Sequence, residues 1–88
     1  MKYTKDNPKL VENFYNYFEQ KETFTGVVKD KYNNIYYYLN GKWHREDGPS
    51  IEWDDGDFSW YLNGILYGSN DDYTNESWMR FIELQLLK

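Results

Sequence analysis

The sequence of 88 residues predicts an α+β fold, an antiparallel β-meander of two 23-residue repeats flanked by an N-terminal and a C-terminal helix. Three observations carry this expectation. Tyr38 Leu39 Asn40 Gly41 recurs as Tyr61 Leu62 Asn63 Gly64 at an offset of 23, and a fixed internal period marks a repeated structural unit. Within each copy the side chains alternate with the period of two that a strand imposes. Outside residues 26–70 the apolar residues change to helical spacing.

Taken in order, Asn7 is placed to cap a helix with Pro8 in its first turn, and Leu10, Val11, Phe14 and Phe18 share one face, so a helix is expected over 8–20. The shift by 23 also pairs Val28 with Ile51, Ile35 with Phe58, Tyr37 with Trp60, and Trp43 with Leu66, so the two copies fill 26–70. Asn33 Asn34 and Asp54 Asp55 Gly56 mark an early reversal in each copy. Asn40 Gly41 and Asn63 Gly64 suit a two-residue type I′ hairpin, which needs positive φ at both central positions. Each copy therefore reads as strand, turn, longer strand, Asn-Gly turn, short strand. Ile35, Tyr37 and Leu39 are expected to share a buried face with Phe58, Trp60 and Leu62, while Tyr36, Tyr38 and Tyr61 point the other way. That tyrosine face is either an outward binding surface or core beneath the helices. Thr74 or Asn75 caps a last helix over 74–87, with Glu76 in its first turn and Trp78, Phe81, Ile82 and Leu86 at helical spacing. The two helices are expected to cover the sheet edges and its bare face.

Eighty-eight residues suffice for a single domain over 1–88 and no more. The chain has no cysteine; it therefore has no disulfide framework and no thiolate metal site, and suits a reducing compartment, here expected to be cytoplasm. No apolar run of membrane-spanning or signal-peptide character is present, so neither secretion nor membrane insertion is expected. Ten Tyr, four Trp and five Phe make 22% of the chain aromatic, although its mean hydropathy is −1.00. The core must then be aromatic, built from side chains with an apolar body and a polar tip. Charge is unevenly spread. Residues 1–45 carry eight cations against five carboxylates, whereas residues 46–79 carry nine carboxylates and no Lys or Arg. Such asymmetry points to an electrostatic partner or to a solvated acidic surface.

Chemistry-bearing motifs are few. His44 Arg45 Glu46 Asp47 sets an imidazole among carboxylates, a pattern suited to proton shuttling. Yet His44 is the only histidine, and no Ser or Cys stands in a nucleophile motif. The run reads better as a fixed inter-strand loop, with Asp47 Gly48 Pro49 as turn chemistry and Arg45 paired to a neighbouring acid. Asp54, Asp55 and Asp57 around Gly56 offer oxygen ligands, but they lack the spacing and distal Glu of an EF-hand and read as a hairpin tip. No phosphate loop or zinc spacing is present. Neither enzymatic activity, a cofactor nor a metal is predicted. Direct nucleic-acid binding is not expected either, since the chain lacks a basic footprint.

The run from Tyr38 Leu39 Asn40 Gly41 Lys42 Trp43 His44 Arg45 through Glu46 Asp47 Gly48 Pro49 Ser50 Ile51 Glu52 Trp53 resembles the WYLNGKLHREDGPA-type repeat of small proteins of bacteriophages and large DNA viruses, itself similar to MORN-type repeats. The second copy departs from it, with Tyr67 Gly68 Ser69 Asn70 in place of His-Arg-Glu-Asp. The resemblance implies a β-meander and a viral source, and it carries over no catalytic or binding residue. Together with size and the acidic stretch, it leads to the expected function: a phage-encoded, anti-CRISPR-like inhibitor that binds a host defence protein and blocks a basic nucleic-acid groove. Its partner would be a protein, specifically a host nucleic-acid-binding protein. Candidate contact residues are Glu52, Asp54, Asp55, Asp57, Asp71 and Asp72, with Tyr36, Tyr38 and Tyr61 as an aromatic platform. Two alternatives stand beside it: a structural assembly protein whose acidic half docks on the basic half of another copy, forming a homo-oligomer, and a small-ligand binder or enzyme using His44 and the tyrosine face.

Overall fold

The computed structural model describes residues 3–11 and 23–87. It is a small α+β protein with a mostly antiparallel sheet of seven strands and one C-terminal helix among the described residues. The strands are β1 (Lys9–Val11), β2 (Gly26–Asp30), β3 (Ile35–Leu39), β4 (Lys42–Trp43), β5 (Ile51–Glu52), β6 (Phe58–Leu62) and β7 (Ile65–Ser69), followed by a 3₁₀ turn (Asn70–Asp72) and helix α1 (Asn75–Leu86). In space they run β1-β2-β3-β5-β6-β7, with β4 beside β3.

Turn chemistry fixes the hairpins as expected. Asn40 and Gly41 sit at φ of 50° and 80°, and Asn63 and Gly64 at 51° and 81°. Asn and Gly take this region at lowest cost. Gly41→Val would force a β-branched residue into it; we expect a loss of about 1–3 kcal/mol in urea unfolding, with Gly41→Asn far milder.

The strands β4 and β5 are two halves of one partner to β3. Tyr38 faces Trp43 but Tyr36 faces Ile51, so six extra residues loop out between them. Backbone bonds at Tyr37 close the gap, its N–H donating to Ser50 O and its carbonyl accepting from His44 N–H. The segment His44–Pro49 thus leaves the sheet and returns to it in line.

Residues opposite each other across a ladder share a face. Val28 pairs with Tyr36 and Tyr36 with Ile51, and these three join Tyr38 in the core, with Phe24, Trp43, Trp53 and Tyr61 packed around them. On the other face Trp60 is buried beneath Trp78 of α1, the two rings 5.4 Å apart, with Tyr73 and Phe81 completing the aromatic cluster. Helix α1 begins at Thr74, whose side chain accepts from Ser77 N–H while Ser77 Oγ accepts from Thr74 N–H. This reciprocal cap satisfies amides that the first turn otherwise leaves bare.

Three expectations are corrected here. Ile35, Tyr37, Leu39, Phe58, Trp60 and Leu62 do lie on one side of the sheet, since Ile35 faces Glu52 and Glu52 faces Phe58. Of these, however, Trp60 alone is buried, whereas Tyr36 and Tyr38 are each 5% exposed. The parity of β3 is set by its neighbours Val28 and Ile51, and a tyrosine can be buried where its hydroxyl finds a partner, as Tyr36 does on Asp30 at 2.9 Å. Secondly, residues 9–11 open no helix but form β1, paired in parallel with β2; residues 12–20 lie outside the described residues. Asn7, the expected cap, instead exchanges two backbone bonds with Thr4, and the β2 edge offers residues 9–11 a ladder. Thirdly, α1 covers the face around Trp60 and leaves the β7 edge exposed. Leu86, expected on the apolar face of the last helix, is exposed as well.

Candidate functional site

The loop between β4 and β5 is organised by Arg45. Its guanidinium lies over the Tyr37 ring, 4.1 Å from the centroid. The Nε donates to Asp47 at 2.8 Å, and Nη1 donates to Glu52 at 3.0 Å and to Pro49 O at 3.3 Å. Gly48 lies beneath it, and a Cβ there would stand 2.7 Å from Cζ of Arg45 and displace the guanidinium. Bonding from Arg45 holds the Asp47 carboxyl below the usual carboxylate range. Glu52 also accepts from the Tyr37 hydroxyl and pairs with Lys5 at 3.0 Å. Burial pushes the Tyr37 hydroxyl well above the ordinary tyrosine range; Arg45 opposes this and Glu52 adds to it.

His44 is equally engaged. Its Nδ1 accepts from Asn63 N–H at 3.0 Å, and Nε2 lies 2.8 Å from Glu46 Oε2. Nδ1 therefore carries no proton in this arrangement, and Nε2 donates to the carboxylate. Both ring nitrogens are engaged within the protein. The motif locks the loop onto the Asn63–Gly64 turn, which is the geometry expected of a fixed linker.

The acidic residues fall into two groups. Glu52, a candidate contact residue, belongs to the Arg45 network at the sheet. Asp54, Asp55 and Asp57 occupy the β5–β6 hairpin tip, closed by Gly56 N–H on Trp53 O and Trp53 N–H on Asp57 O. The tip is tied to the β2–β3 turn by Asp54 N–H on Asn34 Oδ1. The 3₁₀ turn places Asp71 and Asp72 next to it, because Asn70 Oδ1 accepts from Phe58 N–H and Asn70 O accepts from Trp60 Nε1. Asp57 and Asp71 thereby line one open groove with Gly56, Phe58, Asn70 and Tyr73. All five aspartates are exposed, and among the described residues none of them forms a salt bridge. Among the described residues, too, no three acidic or histidine side chains are grouped to hold a metal ion.

Among the tyrosines, Tyr36 and Tyr38 are buried and offer no outward platform, while Tyr61 is half-buried against Trp43, the ring centroids 5.0 Å apart. The aromatic beside the acidic residues is instead Phe58, 38% exposed. Alternation placed Phe58 with Trp60, and what distinguishes them is the reach of α1, which no local spacing reveals. Asn70 docks the 3₁₀ turn on β6. Its signal is chemical, an Asn at positive φ closing a strand.

No family model, curated protein or solved structure matches this chain. Functional inference therefore rests on the residues themselves. No helix among the described residues is long and apolar enough to cross a membrane.

Proposed function

We propose that this chain is a non-enzymatic protein-binding module, phage-encoded and anti-CRISPR-like, that sets its acidic end into a basic groove of a host nucleic-acid-binding protein. One observation carries the reading: Asp57 and Asp71 line a common groove beside Asp54, Asp55 and Asp72, with the exposed ring of Phe58 among them. Carboxylates without a cation to answer them raise the local field and steer a basic partner, and an aromatic at the centre supplies contact area. Residues 26–70 act in this reading as two equivalent repeats. Val28 and Ile51 hold matching buried positions, and the two Asn-Gly turns share their φ values. The second copy lacks the Arg45 loop and ends the array. The cytoplasm is the proposed location.

Capture from bacterial lysate identifies the partner, and the variant Asp54→Asn/Asp55→Asn/Asp57→Asn then tests the contact. Association should slow by about tenfold at low salt and lose most of its salt dependence, since exposed charges screen over about 8 Å at physiological ionic strength. Melting temperature should hold or rise slightly, because crowded like charges at a tip oppose folding. An unchanged association rate across a salt series would refute the acidic contact.

A further inference from the structure

Strand β7 ends the sheet, and its outer edge meets no other strand among the described residues. Asp72 Oδ2 accepts from Ser69 N–H at its far end, and the rest of the strand is weakly protected. Ile65, Leu66 and Tyr67 are 59%, 56% and 42% exposed, and residues 63–70 contain neither a charge nor a proline. Natural edge strands usually carry Lys, Pro or an inward charge, because their open N–H and C=O groups template pairing with another chain. The one irregularity of β7, a register shift opposite Trp60 and Tyr61, bends the strand but places no charge on it. After the two-residue turn, Leu62 and Ile65 close the hairpin. The backbone groups of Leu66 then point away from β6.

We propose that a second copy of this chain occupies that edge, the two β7 strands pairing antiparallel about a two-fold axis near the middle of the strand. Charge decides the occupant and its direction. The two ends of β7 differ in sign. At its start, the Lys42 side chain runs past the Asn63–Gly64 turn, its carbons 3.6–3.8 Å from a Cβ placed on Gly64. At its end stand Asp71 and Asp72 of the 3₁₀ turn. Antiparallel pairing sets the Lys42 end of one copy beside the Asp71 end of the other, and symmetry repeats the contact. Parallel pairing would set each aspartate against its own copy, which like-charge repulsion disfavours. The exposed side chains of β7 gain neighbours across the new ladder in the same step. Asp71 also lines one groove with Asp57, so the seam adjoins the acidic end and pairing would compete with a partner for Asp71.

Sedimentation of the full chain over a dilution series tests this directly. The wild-type mass should fall from twice the chain mass toward one on dilution. Leu66→Glu, at an exposed position, should weaken the dimer by about tenfold or more, because each copy brings the charge to the seam. Lys42→Glu and Asp71→Lys should each weaken it, and the two combined in one chain should restore it, which a merely destabilised fold would not do. Thermal unfolding of each variant confirms that it is folded. A chain that stays monomeric at every concentration, or a dimer that Leu66→Glu leaves unchanged, would overturn the proposal. So would a double charge swap weaker than either single variant, since it removes the antiparallel contact.

Discussion

Trp78→Ala is expected to cost about 3–5 kcal/mol in urea unfolding, the range for removing a fully buried aromatic. Trp78 is 0% exposed. It packs tilted against Trp60 at 5.4 Å and edge-on to Tyr73 at 4.8 Å, and it stacks on Phe81 at 5.7 Å. Its Nε1 also donates to Arg45 O at 2.7 Å, tying α1 to the loop between β4 and β5. For a domain whose whole stability is roughly 5–15 kcal/mol, such a loss leaves a marginal fold. The melting temperature should drop by about 15 °C or more. Trp78→Phe separates the two contributions. It retains most of the ring and loses the donor, so about 1–3 kcal/mol should go, with the Arg45 carbonyl left bare. Equal losses for the two variants would show that packing contributes little here.

The second large effect concerns Asp30, which is 6% exposed. Its Oδ1 accepts from Tyr32 N–H at 2.9 Å and Asn34 N–H at 3.0 Å, and its Oδ2 accepts from Asn34 Nδ2 at 3.0 Å and Tyr36 OH at 2.9 Å. Asp30→Ala would strand these donors, the Tyr36 hydroxyl among them in the core. A loss of about 2–4 kcal/mol is expected. Burial alone would raise the Asp30 carboxyl, but the bonds from Asn34, Tyr36 and Tyr32 outweigh it and hold the group below its ordinary value of 3.8. A depressed carboxylate contributes stability that is present above the unfolded value and lost as pH falls through the folded one. Wild type should therefore weaken below about pH 4, and Asp30→Asn, less stable at neutral pH, should show a flatter acid limb. The opposite sign holds for the tyrosines. Burial raises Tyr36, helped by Asp30, and pushes Tyr38 up to about 12. Raised groups contribute stability that is complete below the unfolded value near 10 and fades as pH rises. Alkaline unfolding beginning above about pH 10 is the check.

Much of the fold was legible because its signals are local. Asn-Gly pairs demand a particular backbone, and Thr74 can cap a helix whatever lies around it. The burial of β3 departs from expectation for the complementary reason. Alternation assigns Ile35, Tyr37 and Leu39 to one side and Tyr36 and Tyr38 to the other, and hydropathy favours burying the first set. Burial is decided across the ladder, where Val28 and Ile51 flank Tyr36 and Asp30 meets its hydroxyl. At the candidate site the hairpin tip was readable from Asp54 Asp55 Gly56, but its meeting with Asp71 was not. That meeting depends on Asn70 reaching Phe58, twelve residues away.

By itself the sequence determined the α+β class, the two Asn-Gly turns, the C-terminal helix and the concentration of acid in residues 46–79, since backbone preference, capping and charge reside in neighbouring residues. Tertiary structure alone decided which face of β3 is core, that residues 9–11 pair with β2 as a strand, and that Arg45 stacks on Tyr37. It also decided that the acidic residues split between the Arg45 network and one open end, and that β7 is left as a bare edge. Each of these depends on which strands become neighbours and where α1 stops, and such choices are settled by burial and pairing between distant segments.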